Sequence, residues 1–209
     1  MRPVPAEWRR ARAWKRPVDL TAVGLLAIPC ALIGLIVAAV VRLRLGSPVL
    51  FRQVRPGLDG RPFVLVKFRT MVEASGTSGG GAGDADRLTP FGRWLRSTSL
   101  DELPELWNVF KGEMSLVGPR PLLMEYLPLY DAEQARRMNV PPGITGWAQV
   151  NGRNAISWPE RLQLDAWYAQ NVSPWLDLKI LFLTLGTVFG RRGVTQAGHV
   201  TVDRFRGNV

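Results

Sequence analysis

Histidine and cysteine are almost absent, with one of each in 209 residues. The lone Cys30 permits no internal disulfide and sits in an apolar run, a pattern that fits a reducing compartment. The lone His199 lies near the C-terminus, which argues against histidine-based metal sites and against triads that need an imidazole base. Acidic residues are also few, 17 Asp and Glu against 27 Lys and Arg, and the net charge is +10. Such a balance calls for anionic partners: nucleic acid, acidic lipid headgroups or phosphorylated substrates. No internal repeat is visible. Tryptophan is abundant, at eight residues, and suits membrane interfaces as well as cores. The length fits one domain able to bury a core.

Charge is missing altogether from Leu20 to Val41. As a straight helix this run would reach roughly 33 Å, enough to cross a bilayer. A cleaved secretory signal would have a shorter apolar region followed by an A-x-A site, and that pattern is not found. Arg9, Arg10, Arg12, Lys15 and Arg16 precede the run, and Arg42 and Arg44 follow it. Both flanks therefore favour the cytoplasmic face. Pro29, near the middle, removes a backbone donor and kinks a helix, while Gly24 and Gly34 add bending room. A re-entrant helix that enters and leaves by one face satisfies both flanks. The alternative, a simple span, would carry the rest of the chain to the far side. The expected division is a basic segment with the membrane helix over residues 1–46, and a second domain over 47–209.

In that second part, Pro48 to Gln53 and Phe63 to Arg69 read as strands joined by the turn Pro56-Gly57-Leu58-Asp59-Gly60. Alternation puts Phe63, Leu65, Lys67 and Arg69 on one face of the second strand. The two cations there fit a solvated face or an anion site. Ser75 to Asp84 is a Gly-rich polar loop that lacks the Lys-Ser/Thr pair of a phosphate loop. Ser173-Pro174 reads as an N-cap and first helical position. The apolar stretch beyond it is too short and too charged at its start to span. It suits either a core helix or an interfacial amphipathic helix with Trp158, Trp167 and Tyr168 nearby. The fold class expected is α+β, mainly helical, with a small β-hairpin.

The stretch most suggestive of chemistry is Ser99-Leu100-Asp101-Glu102-Leu103-Pro104. Ser99 and Glu102 match the S-x-x-E capping box, so a plain helix start is one reading. The other is a carboxylate pair at a helix N-terminus, where phosphate is also favoured, with a nucleophile beside a base or metal ligand. Arg120 lies between two prolines, which pre-set its backbone, and a fixed guanidinium fork suits a phosphate. Arg96 lies five residues before Asp101, and Arg153 sits in Asn151-Gly152-Arg153-Asn154.

Several long, ordered blocks then carry a resemblance. They are Lys67-Phe68-Arg69-Thr70-Met71, Ser99 to Pro104, Asn108 to Pro121 with Gly118-Pro119-Arg120-Pro121 at its end, Pro142 to Arg153, and Leu164-Asp165. In these blocks the chain resembles the bacterial sugar transferases, the monotopic phosphoglycosyl transferases. The likeness runs from Lys15-Arg16 to the tail Gly198-His199-Val200-Thr201. It implies that Asp101 is the nucleophile, with Glu102 assisting, and that a UDP-sugar gives up UMP to leave a phosphosugar-aspartyl intermediate. Polyprenyl (undecaprenyl) phosphate would then accept the phosphosugar. It further implies Mg2+ with Asp101 as ligand, Lys67, Arg96, Arg120, Arg153 and Asp165 on the substrate side, and Lys15, Arg16 and Pro29 at the membrane. The bacterial inner membrane would hold the protein, with its catalytic domain on the cytoplasmic face. Family members commonly break the re-entrant helix at a Ser-Pro pair. Here Ala31-Leu32 aligns with that pair, and Pro29 comes three residues earlier.

Two other classes compete with this reading. A binding scaffold of the same fold without activity is opposed by the intact acid pair and arginines. A nucleic-acid binder would use the positive charge and tryptophans, but the uncharged apolar run argues against it, so no nucleic-acid partner is expected.

Overall fold

The computed structural model describes residues 6–72, 87–152, 156–190 and 204–207. The Gly-rich loop, Arg153 and the Gly198–Thr201 tail lie outside them. The fold is α+β and mainly helical, as expected, with two small two-stranded sheets.

Helix α1, Ala6–Leu45, runs 40 residues and continues through Pro17 and Pro29. It is long and apolar enough to cross a membrane by length and composition. Its burial is uneven. Trp8, Ala11, Lys15 and Asp19 recur at helical spacing and are buried, as are Val37 and Val41. Between them, Gly24 to Ile36 holds no buried residue. Both ends of α1 thus rest against the rest of the chain while its middle stays uncovered.

Strand β1, Leu50–Pro56, pairs antiparallel with β2, Pro62–Phe68, in a register running from Leu50↔Phe68 to Pro56↔Pro62. The predicted turn closes it, with Asp59 (φ 56°) and Gly60 (φ 74°) both left-handed. Helix α2, Pro90–Ser97, starts on Thr89, whose hydroxyl accepts from the Gly92 N–H, with Pro90 first in the helix. Helix α3, Glu105–Lys111, stops at Gly112, which is left-handed at φ 82°. Strand β3, Ser115–Val117, runs parallel to β4, Gly143–Thr145. Helices α4 (Trp147–Val150), α5 (Trp158–Asn171) and α6 (Pro174–Gly190) complete the order. The Ser173 hydroxyl accepts from Leu176 N at 3.3 Å, so the expected cap before α6 forms.

Among the described residues, apolar burial gathers in four clusters. Trp8 and Ala11 of α1 pack with Val117, Val140, Tyr168, Ala169 and Ile180. Val37 and Val41, at the other end of α1, pack with Phe68 and Leu95. Phe63 and Leu65 meet Val109 and Met114, and Leu122, Tyr126, Leu162 and Phe205 form the fourth group. Each large side chain so buried contributes about 1.5–3 kcal/mol.

Two cations assigned to the membrane flank turn inward instead. Lys15 is 1% exposed and ion-pairs with Asp177, and its ammonium also donates to the Tyr168 hydroxyl at 3.1 Å. Arg16 donates to the carbonyls of Val109 and Phe110, both at 2.5 Å, and so caps the C-terminal end of α3. The attraction to Asp177 and the Tyr168 hydrogen bonds to both partners offset the cost of desolvating the pair. Tyr168, expected near the interface, is likewise a core residue at 1% exposure.

Candidate active site

Asp101 and Glu102 sit on a single 3₁₀ turn, Leu100–Glu102, between α2 and α3. Ser99 and Glu102 do not form the expected capping box. Ser99 is left-handed (φ 56°) and its side chain caps nothing, while its carbonyl accepts from Glu102 N at 3.1 Å. The Glu102 carboxylate turns away toward two cations. A capping box does form elsewhere, where Ser157 and Glu160 close the start of α5.

Strand β2 delivers the first cation. Asn108 of α3 is fully buried, donates to Val64 O at 2.7 Å and accepts from Val66 N at 3.2 Å. This side-chain bridge locks α3 onto the unpaired edge of β2. In that register Lys67 reaches Oε1 of both Glu102 and Glu105, each at 2.7 Å. Arg69, its companion on the strand face, instead donates to the carbonyls of Leu45 and of Ser47, the latter at 2.9 Å, at the end of α1. The second cation, Arg120, reaches the same Oε1 of Glu102 at 2.8 Å.

The two acids therefore differ sharply in charge environment. Burial alone would raise the Glu102 pKa, yet the Lys67 and Arg120 charges and hydrogen bonds outweigh it and hold this carboxylate well below its usual range. Burial, then the Glu102 charge, push Asp101 up to about 6, against the pull of Lys67, Arg120 and Arg96. Among the described residues no hydrogen bond or ion pair reaches the Asp101 carboxylate. Burial also raises Glu105 to about 7. Arg96 stands near Asp101 and donates from Nε to the buried Thr70 hydroxyl at 3.0 Å.

Arg120 owes its place to backbone crossing. Gly118 N donates to Thr145 O at 2.8 Å and Gly143 N to Pro119 O at 3.0 Å, beside the β3–β4 pair. The approach is so close that a Cβ on Gly143 would stand 2.0 Å from Gly118 N. This contact brings the Gly118–Pro121 and Pro142–Gly146 blocks together. Asp165 lies behind that crossing rather than beside the acid pair. It is 1% exposed and paired with Arg137 at 2.8 Å.

Sequence reasoning passed over Glu105, Asn108 and Arg137. Glu105 carried a visible signal, since it stands three residues after Glu102 on a helical stretch. Arg137 carried none, because Arg120 and Asp165, the partners that place it behind the site, are 17 and 28 residues away. Among the described residues there is no group of three or more acidic, histidine or cysteine side chains of the kind that cages a metal. What is present, the uncommitted Asp101 carboxylate and the second oxygen of Glu102, fits Mg2+, which takes one or two carboxylates and completes its shell with phosphate and water.

The bacterial sugar transferase family matches residues 10–191. A Bacillus subtilis relative, the uncharacterized sugar transferase EpsL, is 57% identical over 194 residues, covering 93% of this chain and 96% of its own. The UDP-galactose-lipid carrier transferase of Erwinia amylovora is 40% identical and covers 88% of this chain, which spans 42% of that longer protein. The UDP-glucose:undecaprenyl-phosphate glucose-1-phosphate transferase of Caulobacter vibrioides is 42% identical over 82% of this chain and 68% of its own. The matched span takes in the acid turn, all three cations around it and α1 from Arg10 onward, so this chain belongs to the bacterial sugar transferase family.

Proposed function

We propose that this chain transfers a sugar 1-phosphate from a UDP-sugar to undecaprenyl phosphate or a similar polyprenyl phosphate at the inner face of the bacterial cytoplasmic membrane. The observation that carries this reading is the asymmetry of the acid pair. Glu102 is held by two cations, whereas Asp101 is enclosed, raised in pKa and bound to nothing in the described protein.

An enclosed carboxylate with a free lone pair is a competent nucleophile. At neutral pH a group with a pKa of about 6 is mostly ionised. Asp101 attacks the phosphorus that bears the sugar, the bond to the bridging oxygen breaks, and UMP leaves with that oxygen. The phosphosugar is then held on Asp101 as an acyl phosphate. An oxygen of the polyprenyl phosphate attacks the same phosphorus, releases the carboxylate and forms the diphosphate-linked sugar. Arg120 and Arg96 offset charge at the phosphoryl oxygens, the main task in phosphoryl transfer. Glu102 orients Lys67 and Arg120 rather than reacting. Bound Mg2+ at Asp101 and Glu102 would add neutralisation of the donor diphosphate. Arg153 remains a substrate-side expectation carried by its motif.

Membrane placement rests on two apolar surfaces. On α6, Trp175 (79% exposed), Leu178, Phe182 (75%) and Leu185 recur at helical spacing on the uncovered side, while Asp177 and Ile180 are buried. A face this apolar suits an interface lying along the bilayer surface. The exposed apolar middle of α1, with both ends packed on the body, supports re-entrant insertion.

The test is release of UMP from a panel of UDP-sugars by the purified full-length chain with a polyprenyl phosphate and Mg2+. Wild type should release UMP from at least one donor, and Asp101→Asn from none. Near-native turnover by Asp101→Asn would remove the nucleophile assignment.

A further inference from the structure

The geometry points to Arg137 as a positioning residue: by gripping the Arg120 carbonyl from inside the fold, it aims the Arg120 guanidinium at Glu102 and at the phosphoryl group beside it. The inference rests on the reaction proposed above. Arg137 is 2% exposed and takes no part in contacts with the acid pair. Its fork instead joins three separate segments. Nη2 donates to Arg120 O at 2.6 Å and to Asp165 Oδ2 at 2.8 Å, Nε donates to the same Asp165 oxygen at 3.2 Å, and Nη1 donates to the Tyr130 hydroxyl at 3.3 Å. The Tyr130 ring lies 5.6 Å from the guanidinium and is itself backed by Phe205 at 6.0 Å.

The reason for such a grip lies in the local sequence. Pro119 and Pro121 have fixed φ and no N–H, so the Arg120 carbonyl is one of the few handles on this loop. The Gly143 N–H already holds the Pro119 carbonyl at 3.0 Å. Arg137 supplies the second fixed point, one residue further on, and leaves the Arg120 peptide plane little freedom to rotate. Stability alone does not explain a buried Arg–Asp pair here, since apolar residues of similar size often serve a fold as well or better. Only a planar fork with several donors spans these three acceptors, which a lysine cannot do. Asp165 then acts through Arg137, which accounts for its burial away from the acids.

Two variants test this in the purified full-length enzyme, read by UMP release and thermal melting. Arg137→Lys keeps a charge for Asp165 but not the span to Arg120. The double variant Arg137→Met with Asp165→Leu replaces the pair by apolar residues and keeps the core filled. Both should melt within a few degrees of wild type, with kcat/KM lowered by about tenfold to a hundredfold, mainly in kcat, as expected for a misplaced charged group. In an Arg120→Lys background, Arg137→Lys should cost little more. A double variant that is folded and has wild-type kcat/KM overturns the inference. So does a double variant that regains both the stability and the activity lost by Arg137→Lys. A wild-type enzyme that releases UMP from no donor overturns the reaction itself, a distinct failure.

Discussion

Around Asp101 the neighbouring charges oppose one another, and the sign of each can be tested. Burial and the Glu102 charge raise its pKa, while Lys67, Arg120 and Arg96 lower it. On the proposed mechanism the ionised form is the nucleophile, so kcat/KM should fall as pH drops through about 6, and hold above it. Glu102→Gln removes the adjacent negative charge and frees Lys67 and Arg120 to act on Asp101. The acid limb should therefore move below about 6 even as kcat falls steeply. A pH–rate profile of the two enzymes side by side decides this, and an upward shift in Glu102→Gln would contradict the charge arrangement. At this scale the sequence was partly legible. Asp101, Glu102, Lys67 and Arg120 do converge, and their motif blocks announced them. Glu102 as a cap was a misreading, because local pattern contains nothing about Lys67, which is 35 residues away. Long-range charge outcompeted a local hydrogen bond worth about 1 kcal/mol.

At the scale of elements, the hairpin and the start of α6 follow from turn residues and a cap, signals that act within a few positions. The parallel β3–β4 pair and the docking of α3 on β2 were not legible, since they depend on glycines that permit backbone crossing and on one buried asparagine. The inward turn of Lys15 belongs to the same class. Its ion pair with Asp177 ties α1 to α6, and Tyr168 of α5 bonds to both partners. Lys15→Met leaves a buried carboxylate unpaired and should destabilise by about 3–5 kcal/mol. Pairing it with Asp177→Leu should restore most of that loss. Thermal melting in detergent measures both. If Lys15→Met melts like wild type, Lys15 faces lipid after all.

For the molecule as a whole, the distinction between membrane segment and body is one of lipid contact, not of separate cores. The turn at Gly46 follows α1, yet α1 contributes Trp8 and Ala11 to one cluster and Val37 and Val41 to another. The re-entrant placement proposed above predicts a topology. With Cys30 changed to alanine, cysteines placed at Arg12 and Ser47 should both react with an impermeant thiol reagent supplied from the cytoplasmic side. Labelling from opposite sides would leave a simple span as the reading.

The Lys15–Asp177 pair joins positions 162 residues apart, which sets an order of events during synthesis. Ribosomes add about 5–20 residues per second, so roughly 8–30 s separate the appearance of Lys15 from that of Asp177. The apolar run meets the bilayer early in that interval, while every group that buries Lys15 and Trp8 against α5 and α6 is still unmade. On the placement proposed above, the helix waits at the membrane with its polar handle exposed, and the body closes around it only once α6 has been made.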